Sequence, residues 1–361
     1  MKVLSVAGAR PQFIKAFAVS RELRPNHEEV LVHTGQHYDE GMSDVFFEEL
    51  GMPEPDYNLG VGSDTHGRQT AAMLEGIEDV LETEAPDVLL LYGDTNSTLA
   101  GAIAGSKMDP AVAHVEAGLR SYNREMPEET NRVLTDHASD ILFAPSESAV
   151  ETLAEEGIAD GVHFVGDVMY DAILWAREIA ESESGILEQV SPEENEFILS
   201  TVHRTGNTDN QERLKSITEA LSNASLPVVL PVHPRTENRL KEYGMWKRAT
   251  SELEVINPVG YLDFVRLLDA SERVATDSGG VQKEAFYLDT PCVTMRDETE
   301  WVETVESGWN VLAGADRETI SKKLSVNRNL EEKPTPYGDG TAAENIVKIL
   351  TEQINGRSAQ A

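Results

Sequence analysis

The feature that most constrains this chain is the alternation, from end to end, of short apolar runs with longer amphipathic segments. Apolar runs of ~4–8 residues are typical of buried strands, and segments of ~10 or more residues with helical spacing are typical of crossover helices. Such alternation predicts parallel sheets with right-handed crossovers, which is an α/β fold. We predict strands at Val3–Ala7, Glu29–Thr34, Val88–Tyr92, Val112–Val115, Ile141–Ala144, Phe197–Val202, Pro227–Val232, Arg273–Thr276 and Pro291–Met295. We predict helices at Phe13–Leu23, Gln69–Glu82, Arg213–Leu221 and Ala342–Ile354.

The strands form two series, which predict two Rossmann-like domains in a chain of 361 residues. We expect the boundary near Gly166–Tyr170. The prediction is an N-terminal domain at 1–168, a C-terminal domain at 169–340, and a helix and tail at 341–361 that pack back onto the N-terminal domain. Sheets of this type bind ligands beyond the carboxyl ends of their strands, so we expect the two domains to share a central cleft.

The net charge of −34 argues against nucleic acid and anionic membranes as partners. The acidic residues are dispersed among apolar segments, unlike the charge blocks of a disordered chain. This composition resembles that of cytosolic proteins from salt-loving organisms, in which salt screens the repulsion. No apolar run approaches the ~20 residues of a membrane-spanning helix, and the N-terminal apolar run leads directly into a Gly/Arg loop. We therefore expect a cytoplasmic protein.

Several motifs of cofactor and metal sites are absent from the sequence. There is no GxGxxG and no GxxxxGK followed by Ser or Thr, so no dinucleotide cofactor or P-loop is indicated. There is no HExxH motif or Asp/His cluster, so we expect no metal. The single cysteine, Cys292, excludes an intrachain disulfide framework and a Cys-rich zinc site, and its apolar surroundings predict a buried strand residue.

The loop after the first predicted strand suits an anion. Gly8 allows a close approach of the backbone, and Pro11 can begin a helix whose N-terminus attracts negative charge. Arg10 and Lys15 add positive charge where a diphosphate could lie. The alternative is an ordinary turn with exposed basic residues.

A second candidate phosphate loop follows the strand at Arg273–Thr276. Ser278, Gly279 and Gly280 precede a predicted helix, so a hydroxyl and free backbone N–H groups can form an anion nest. Glu284 lies about one turn later, where a carboxylate can accept hydrogen bonds from ribose hydroxyls. The alternative is a Ser N-cap with a Gly-lined turn.

Acidic residues follow the strands of the N-terminal series. Asp94 follows one strand and Glu116 directly continues the next, while Glu128 and Glu129 open a helix. Purely structural roles are the alternative. Asp94 can be the N-cap of a helix, and Glu128 or Glu129 can be an acid that the helix dipole favours in a first turn. Acids gathered at one edge of a sheet suggest acid–base chemistry. In the second series, His203 and His233 follow two strands and suggest stabilisation of a leaving group.

These segments together resemble the non-hydrolysing UDP-N-acetylglucosamine 2-epimerase family. The matching pieces are GARPQFIK, TGQHYDEGM, GDTNSTLAG, HVEAGLRS, MPEETNRVLTDH, HR, PVHPR, TDSGGVQKEA and PCVTMRDETE, in order along nearly the whole chain. The resemblance implies the GT-B-like architecture with UDP in the cleft, and inversion at sugar C2. UDP would be eliminated to leave a 2-acetamidoglucal and would then be added back. No cofactor is implied, and we expect a homodimer.

The resemblance also implies roles for individual residues. The catalytic set is Asp94, Glu116, Glu128 and His203. The substrate-binding set is Arg10, Lys15, Arg132, His233, Phe264, Ser278, Gly279, Gly280 and Glu284. Within it, Phe264 matches an aromatic near the uracil, Glu284 the ribose acid, and Arg132 a basic or structuring position.

Two departures concern the sugar. The chain has Gln12 after Pro11, where many members have Glu, and Trp301-Val302 where many have Arg-Pro. Both forms are closer to the branch that acts on UDP-2,3-diacetamido-2,3-dideoxyglucuronate, which is the alternative substrate. The match at Gln36-His37 is partial, and Tyr38-Asp39 weakens it, so the resemblance does not extend to a prediction of a second, regulatory sugar-nucleotide site.

Three other functions compete with this one. A GT-B glycosyltransferase would share the UDP loop but needs an acceptor groove and has no reason to gather three acids. A hydrolysing epimerase would release free N-acetylmannosamine and UDP. A catalytically inactive UDP-sugar sensor is disfavoured by the presence of Asp94, Glu116, Glu128 and His203.

Overall fold

The computed structural model of the chain describes residues 1–35, 51, 53–326 and 333–358, without the side chains of Arg10, Arg357 and Ser358. The partial match at Gln36-His37 lies outside the described residues. The chain divides into two compact units: unit 1 comprises Met1–Ala172 and Thr335–Ala361, and unit 2 comprises Ile173–Pro334. The division falls within one helix, Val168–Glu183.

Unit 1 is built on a parallel sheet of seven described strands in the order β3-β2-β1-β4-β5-β6-β7. The strands are β1 Lys2–Ala7, β2 Glu28–His33, β3 Tyr57–Asn58, β4 Val88–Tyr92, β5 Ala111–Val115, β6 Ile141–Ala144 and β7 Val162–Phe164. The helices are α1 Arg10–Leu23, α2 His66–Glu84, α3 Asn96–Gly105, α4 Pro127–Ala138, α5 Glu147–Glu155 and α6 Val168–Glu183, the last of which leads into unit 2. All residues of β4 and β5 are buried, because a parallel sheet is covered on both faces by its crossover helices.

Unit 2 repeats this plan with a parallel sheet of six described strands in the order β10-β9-β8-β11-β12-β13. The strands are β8 Ile198–Thr201, β9 Val228–Pro231, β10 Glu254–Ile256, β11 Arg273–Thr276, β12 Cys292–Thr294 and β13 Asn310–Leu312. The helices are α7 Thr205–Thr208, α8 Gln211–Ser222, α9 Pro234–Glu242, α10 Trp246–Glu252, α11 Tyr261–Asp269, α12 Gly279–Tyr287, α13 Val302–Glu306 and α14 Arg317–Ser325, and a 3-10 turn covers Ile186–Glu188.

The predicted α/β class and the two parallel sheets are confirmed. Every predicted strand is present within about two residues at each end, and β4, β6 and β11 have the predicted bounds. The strands β3, β7, β10 and β13 were not predicted. Cys292 lies on β12 and is buried, as predicted.

The last helix, α15 Ala342–Ser358, belongs to unit 1. The carboxylate of Asp171 accepts hydrogen bonds from the backbone N–H groups of Ala342 and Ala343, at 3.1 and 2.9 Å, and so caps the start of this helix. Further along, the hydroxyl of Thr351 lies 3.1 Å from Nε2 of His27, which follows α1. None of the helices in the described ranges is both long enough and apolar enough to cross a bilayer.

Candidate active site

The carboxyl ends of β1 and β5 bring Lys15 and Glu116 together. Lys15 lies in the second turn of α1, is nearly buried, and forms an ion pair with Glu116. Burial lowers the pKa of Lys15, but the attraction of Glu116 and its hydrogen bond outweigh burial, so the pKa is raised. Glu116 itself has a φ of 74°, a left-handed conformation that a non-glycine residue adopts at a cost. The local backbone therefore holds this carboxylate in a fixed place.

The second candidate acid, Asp94, lies on the neighbouring loop, after β4. Its carboxylate pairs with Arg132 of α4 and keeps a third of its surface open to solvent. Asn131 donates to the backbone carbonyl of Asp94 at 3.0 Å, so helix α4 holds this residue at two points. Asp94 is not an N-cap: that position in α3 belongs to Thr95, so the structural alternative for Asp94 is wrong.

Glu128 and Glu129 both lie in the first turn of α4, but their surroundings differ. Glu129 is buried and accepts hydrogen bonds from the N–H and hydroxyl of Ser121 and from the N–H of Tyr122, at 2.8–2.9 Å. Burial raises the pKa of Glu129, but these bonds and the nearby Arg132 outweigh it, so the pKa is lowered. Glu128 is half-buried. The residue that organises the preceding loop is thus Glu129, which leaves Glu128 as the candidate for chemistry.

Gln12 organises the turn before α1. Its Oε1 accepts from the backbone N–H groups of Gly8 and Ala9 at 2.9 and 3.0 Å, and its Nε2 donates to the carbonyl of Tyr92 and the hydroxyl of Thr98. These two N–H groups are therefore already used. The N–H groups of Gln12 and Phe13 donate to the carbonyl of Ala9, and Pro11 has none, so an anion at this turn would depend on side chains and on the amide of Arg10.

The candidate site of unit 2 is organised by a buried carboxylate, Asp277, which follows β11. It accepts from the backbone N–H groups of His203 and Arg204 and from the amide of Asn207, at 3.0–3.2 Å, and it lies 3.2 Å from Nδ1 of His203. Burial raises the pKa of Asp277. The hydrogen bonds and the charge of His203 lower it by more than burial raises it, so the pKa is lowered overall. The ring of His203 faces that of His233, with centroids 5.9 Å apart.

The predicted nest begins helix α12. Ser278 is its N-cap and accepts from the N–H of Val281 at 3.5 Å, so the N-cap alternative for Ser278 is confirmed. The amides of Gly279 and Gly280 open the helix, where an α-helix offers no internal acceptor. A Cβ at Gly279 would lie 2.6 Å from Oε1 of Glu300, so a larger residue here would require the partly exposed Glu300 side chain to move. The same helix therefore begins with two amides that an anion can reach.

The remaining predicted residues of unit 2 lie on, or at the start of, helices that follow strands of its sheet. Glu284 is on α12, one turn after the nest, and Phe264 is in the first turn of α11; both are half-buried. His233 is the N-cap of α9 and accepts from the N–H of Arg235 at 3.1 Å. Burial, followed by the charges of His203 and Arg235, lowers the pKa of His233. The side chain of Arg10 is outside what the structure describes.

Comparison with known proteins decides the family. The family model described as UDP-N-acetylglucosamine 2-epimerase matches residues 21–351. The chain belongs to the UDP-N-acetylglucosamine 2-epimerase family.

A UDP-N-acetylglucosamine 2-epimerase homolog of Methanococcus maripaludis is 49% identical over 97% of this chain and 99% of its own length. The UDP-2,3-diacetamido-2,3-dideoxy-D-glucuronate 2-epimerase of Pseudomonas aeruginosa is also 49% identical, over 98% of this chain and 100% of its own. The solved UDP-GlcNAc 2-epimerase of Methanocaldococcus jannaschii in complex with UDP-GlcNAc and UDP superposes with a TM-score of 0.79, at 45% identity over 98% of this chain and 100% of that chain. The predicted family is therefore confirmed.

One of the two departures from the epimerase family's usual sequence has a structural role in the nest. Nε1 of Trp301 donates to the carbonyl of Gly279 at 2.9 Å, and the ammonium of Lys283 lies 4.2 Å from the centroid of the Trp301 ring. An Arg side chain would also offer a donor here, but it would place a second cation beside Lys283. Trp301 thus supports the first residue of the nest without adding charge.

Sequence reasoning missed four side chains that hold loops of the candidate site. Gln12 holds the turn before α1, and Asp277 holds the loop of His203. His114 bonds to Gly93, next to Asp94, and Asp136 bonds to the N–H of Gly118 in the loop after β5. The signal for Asp277 was available, because it follows an apolar strand as directly as Glu116 does. No comparable signal marked Asp136, whose hydrogen-bond partners Gly118 and Arg120 lie 18 and 16 positions away. Within the described ranges, no group of three or more His, Cys, Asp or Glu side chains is arranged to hold a metal.

Proposed function

We propose that the protein is a non-hydrolysing 2-epimerase that interconverts UDP-N-acetylglucosamine and UDP-N-acetylmannosamine. The observation that carries the proposal is the pair of carboxylates after two neighbouring strands, Glu116 beside Lys15 and Asp94 beside Arg132. Each carboxylate is held in place by a cation at the end of its strand, so each is positioned to accept or return a proton. Family membership supports the same activity.

The reaction proceeds in two balanced half-reactions. A carboxylate removes the proton from C2 of the sugar while the C1–O bond to UDP breaks, which leaves a C1=C2 double bond and free UDP. UDP then adds back to C1, and a proton is returned to the opposite face of C2. The C2 hydrogen is only weakly acidic because C2 is not next to a carbonyl, so the chemistry requires exclusion of water and precise placement of the base. We assign the proton transfers to Asp94, Glu116 and Glu128.

We assign nucleotide binding to unit 2. The amides of Gly279 and Gly280 and the hydroxyl of Ser278 would hold the diphosphate, and His203 would stabilise the charge that develops on the departing UDP. Glu284 would accept from the ribose hydroxyls, and Phe264 would contact the uracil. His233 would add to the electrostatic environment of the nest, and Arg10, Lys15 and Arg132 would add positive charge beside the acids of unit 1.

The proposal is tested by incubation with UDP-GlcNAc in D₂O at high KCl, without added metal or nicotinamide. We expect NMR to show UDP-ManNAc with deuterium at C2, together with traces of 2-acetamidoglucal and UDP. Inversion without deuterium would contradict removal of the C2 proton to a solvent-exchangeable base. Transfer of the sugar to an added acceptor would instead favour a glycosyltransferase.

A second substrate is UDP-2,3-diacetamido-2,3-dideoxyglucuronate. Gln12 and Trp301 favour it, because both are the forms found in that branch, and the relative from Pseudomonas aeruginosa with that name is 49% identical. The same assay distinguishes the two sugars. Inversion of this uronate with none of UDP-GlcNAc would keep the reaction and change the substrate.

The surface suggests the conditions in which the enzyme works. With a net charge of −34, the acidic side chains repel one another strongly at low salt. At 1 M salt the Debye length falls to ~3 Å, so this repulsion is screened. We therefore propose a protein adapted to a salt-rich cytoplasm, with a melting temperature that rises between ~0.1 and ~3 M KCl. A flat or falling melting temperature would contradict this.

We also propose a homodimer, for which the exposed Leu134 of α4 offers apolar surface. Light scattering in KCl tests this proposal.

A further inference from the structure

His114 lies on β5, two residues before Glu116, and is completely buried. Both of its ring nitrogens have close partners. Nε2 lies 2.7 Å from the backbone carbonyl of Gly93, and Nδ1 lies 2.7 Å from Oδ1 of Asp136 on α4. A carbonyl oxygen only accepts hydrogen bonds, so Nε2 must carry a proton. The question is then whether Nδ1 carries one as well.

The surroundings of Asp136 answer this question. Its other oxygen, Oδ2, accepts from Nη1 of Arg120 at 2.7 Å and from the N–H of Gly118 at 3.1 Å. Two donors, one of them a guanidinium, stabilise the ionised carboxylate. Nδ1 therefore faces a carboxylate and must donate, which makes the ring an imidazolium.

The charged cluster around the ring extends from Asp136 to a further carboxylate. Arg120 also binds Glu156 with two hydrogen bonds of 2.7 and 2.8 Å. Two carboxylates, Asp136 and Glu156, then face one guanidinium and one imidazolium. An imidazolium therefore gives the buried Asp136 a second cationic partner besides Arg120, whereas Glu156 is partly exposed to solvent. The exposed His137 is farther from this cluster, at 4.0 Å from Glu156.

The imidazolium joins the two loops that carry the candidate acids. Gly93 precedes Asp94, and it is bound to β5 twice: its N–H donates to the carbonyl of Val115 at 3.0 Å and its carbonyl accepts from His114. A Cβ on Gly93 would lie 3.4 Å from Nζ of Lys15 and 3.5 Å from Oε2 of Glu116, so the loop is in direct reach of that ion pair. A shift of Gly93 would therefore be felt at both acids.

We propose that His114, held as an imidazolium between Asp136 and the Gly93 carbonyl, is a positioning residue that fixes the Asp94 loop against the Glu116 loop. This role rests on the proposed epimerase function. His114 does not exchange a proton with the sugar; it sets the distance between the groups that do. Misplacement of a catalytic group by ~1 Å can cost ~10²-fold in rate, so the role has a measurable size.

Two substitutions separate the two hydrogen bonds. The amide nitrogen of Asn overlaps the position of Nδ1, so His114→Asn keeps a donor for Asp136 and loses the one for Gly93. The amide nitrogen of Gln reaches the position of Nε2, so His114→Gln does the reverse. We expect His114→Asn to lower kcat by ~10²-fold with KM changed less than ~3-fold, and His114→Gln to keep kcat within ~10-fold of the wild type.

The matched control is His163→Asn, on the edge strand β7 of the same unit, which should leave kcat unchanged. All rates are normalised to the folded fraction, measured by circular dichroism and melting temperature. A purely structural His114 would give both variants the same normalised kcat, or a loss confined to KM, and either result would overturn the proposal. If the wild type inverts neither UDP-sugar, the proposed function fails and this role fails with it. An active wild type with equal variants refutes the role of His114 alone.

A measurement on the wild type does not depend on variants that fold. In protein labelled with ¹⁵N-histidine, long-range ¹H–¹⁵N spectra at neutral pH should show a proton on both ring nitrogens of His114, with the signal assigned by its loss in His114→Gln. A proton on only one nitrogen would overturn the imidazolium, whatever the kinetics show.

Discussion

The candidate groups of unit 1 and unit 2 carry charge in different ways. In unit 1, carboxylates meet cationic side chains, as Glu116 meets Lys15 and Asp94 meets Arg132. In unit 2, the buried Asp277 is met mainly by backbone N–H groups and an amide, and the nest itself consists of backbone N–H groups and a hydroxyl. Side chains can gain and lose protons, whereas backbone amides cannot. From this comparison we propose that the candidate groups of unit 1 move protons and that the nest of unit 2 holds a constant negative charge.

The largest effect is expected from Glu116→Gln, which removes a proton acceptor but keeps the size of the side chain. Loss of a positioned acid or base costs ~10²–10⁴ in kcat. The affinity for UDP, measured by calorimetry, should stay within ~3-fold of the wild type because this residue belongs to unit 1. Glu125→Gln, in an exposed loop of the same unit, is the control. Loss of UDP binding in Glu116→Gln would break the division between the units.

Asp277→Asn is expected to have the next largest effect, on the stability of unit 2. Without the charge, the N–H groups of His203 and Arg204 lose a charge-assisted acceptor, and the cost is ~3 kcal/mol in the free energy of unfolding. Because the folded pKa of Asp277 is below its unfolded value, the stabilisation is present above about pH 4 and is lost as the pH falls below it.

Hydrogen exchange of the amides in β8 and β11 measures this effect, and exposed Asp297→Asn is the control in the same unit. The difference between the wild type and Asp277→Asn should shrink on acidification. A difference that stays constant from neutral to acid pH would show that the charge of Asp277 does not contribute.

Asp171 provides the contrasting carboxylate in unit 1. It also accepts two backbone N–H bonds, but burial outweighs them and raises its pKa to about 6. Because this folded value exceeds the unfolded one, ionisation opposes folding, and stability should fall as the pH rises from about 4 to about 6, by on the order of 2 kcal/mol. Asp171→Asn should abolish this dependence. Amide protection in α15, corrected for intrinsic exchange, measures it, and parallel profiles for wild type and variant would refute it.

Ser278→Ala is expected to have the smallest effect. It should weaken UDP binding by ~5- to 10-fold, through loss of one hydroxyl hydrogen bond to the diphosphate, and leave kcat unchanged. The variant also loses an N-cap, which costs ~1 kcal/mol of stability. Ser146→Ala removes an equivalent N-cap in unit 1, from α5, and is the matched control. Equal UDP affinities in the two variants would mean that Ser278 only caps its helix.

The sequence predicted the central strands well because they are buried on both faces and consist of continuous apolar runs. The missed strands β3, β7, β10 and β13 have only two or three residues, and none is fully buried. Strands of this length have no periodicity to detect, and β3, β7, β10 and β13 lie at or next to the edges of their sheets, where fewer side chains are covered. Their formation depends on the neighbouring strand, which the local sequence does not describe.

Site residues could be predicted where a charged side chain interrupts or directly follows an apolar segment. Glu116 continues an apolar strand, and Lys15 follows a Gly-Pro turn in an acidic chain. His114 was not predictable in this way, because a histidine within an apolar strand gives no indication of its partners. Those partners, Asp136 and Gly93, are 22 and 21 positions away in the sequence. Long-range hydrogen bonds of this kind follow from the fold and not from any motif.

Unit 1 is made of two separate stretches of chain, with the whole of unit 2 between them. During synthesis on a ribosome, unit 2 can therefore be complete while unit 1 still lacks α15 and the helix start that Asp171 caps. The nascent unit 1 therefore stays incomplete, with the α1 surface against which α15 packs still uncovered, until α15 has been synthesised. A late premature stop codon would accordingly damage the unit that was made first and spare the one that was made second.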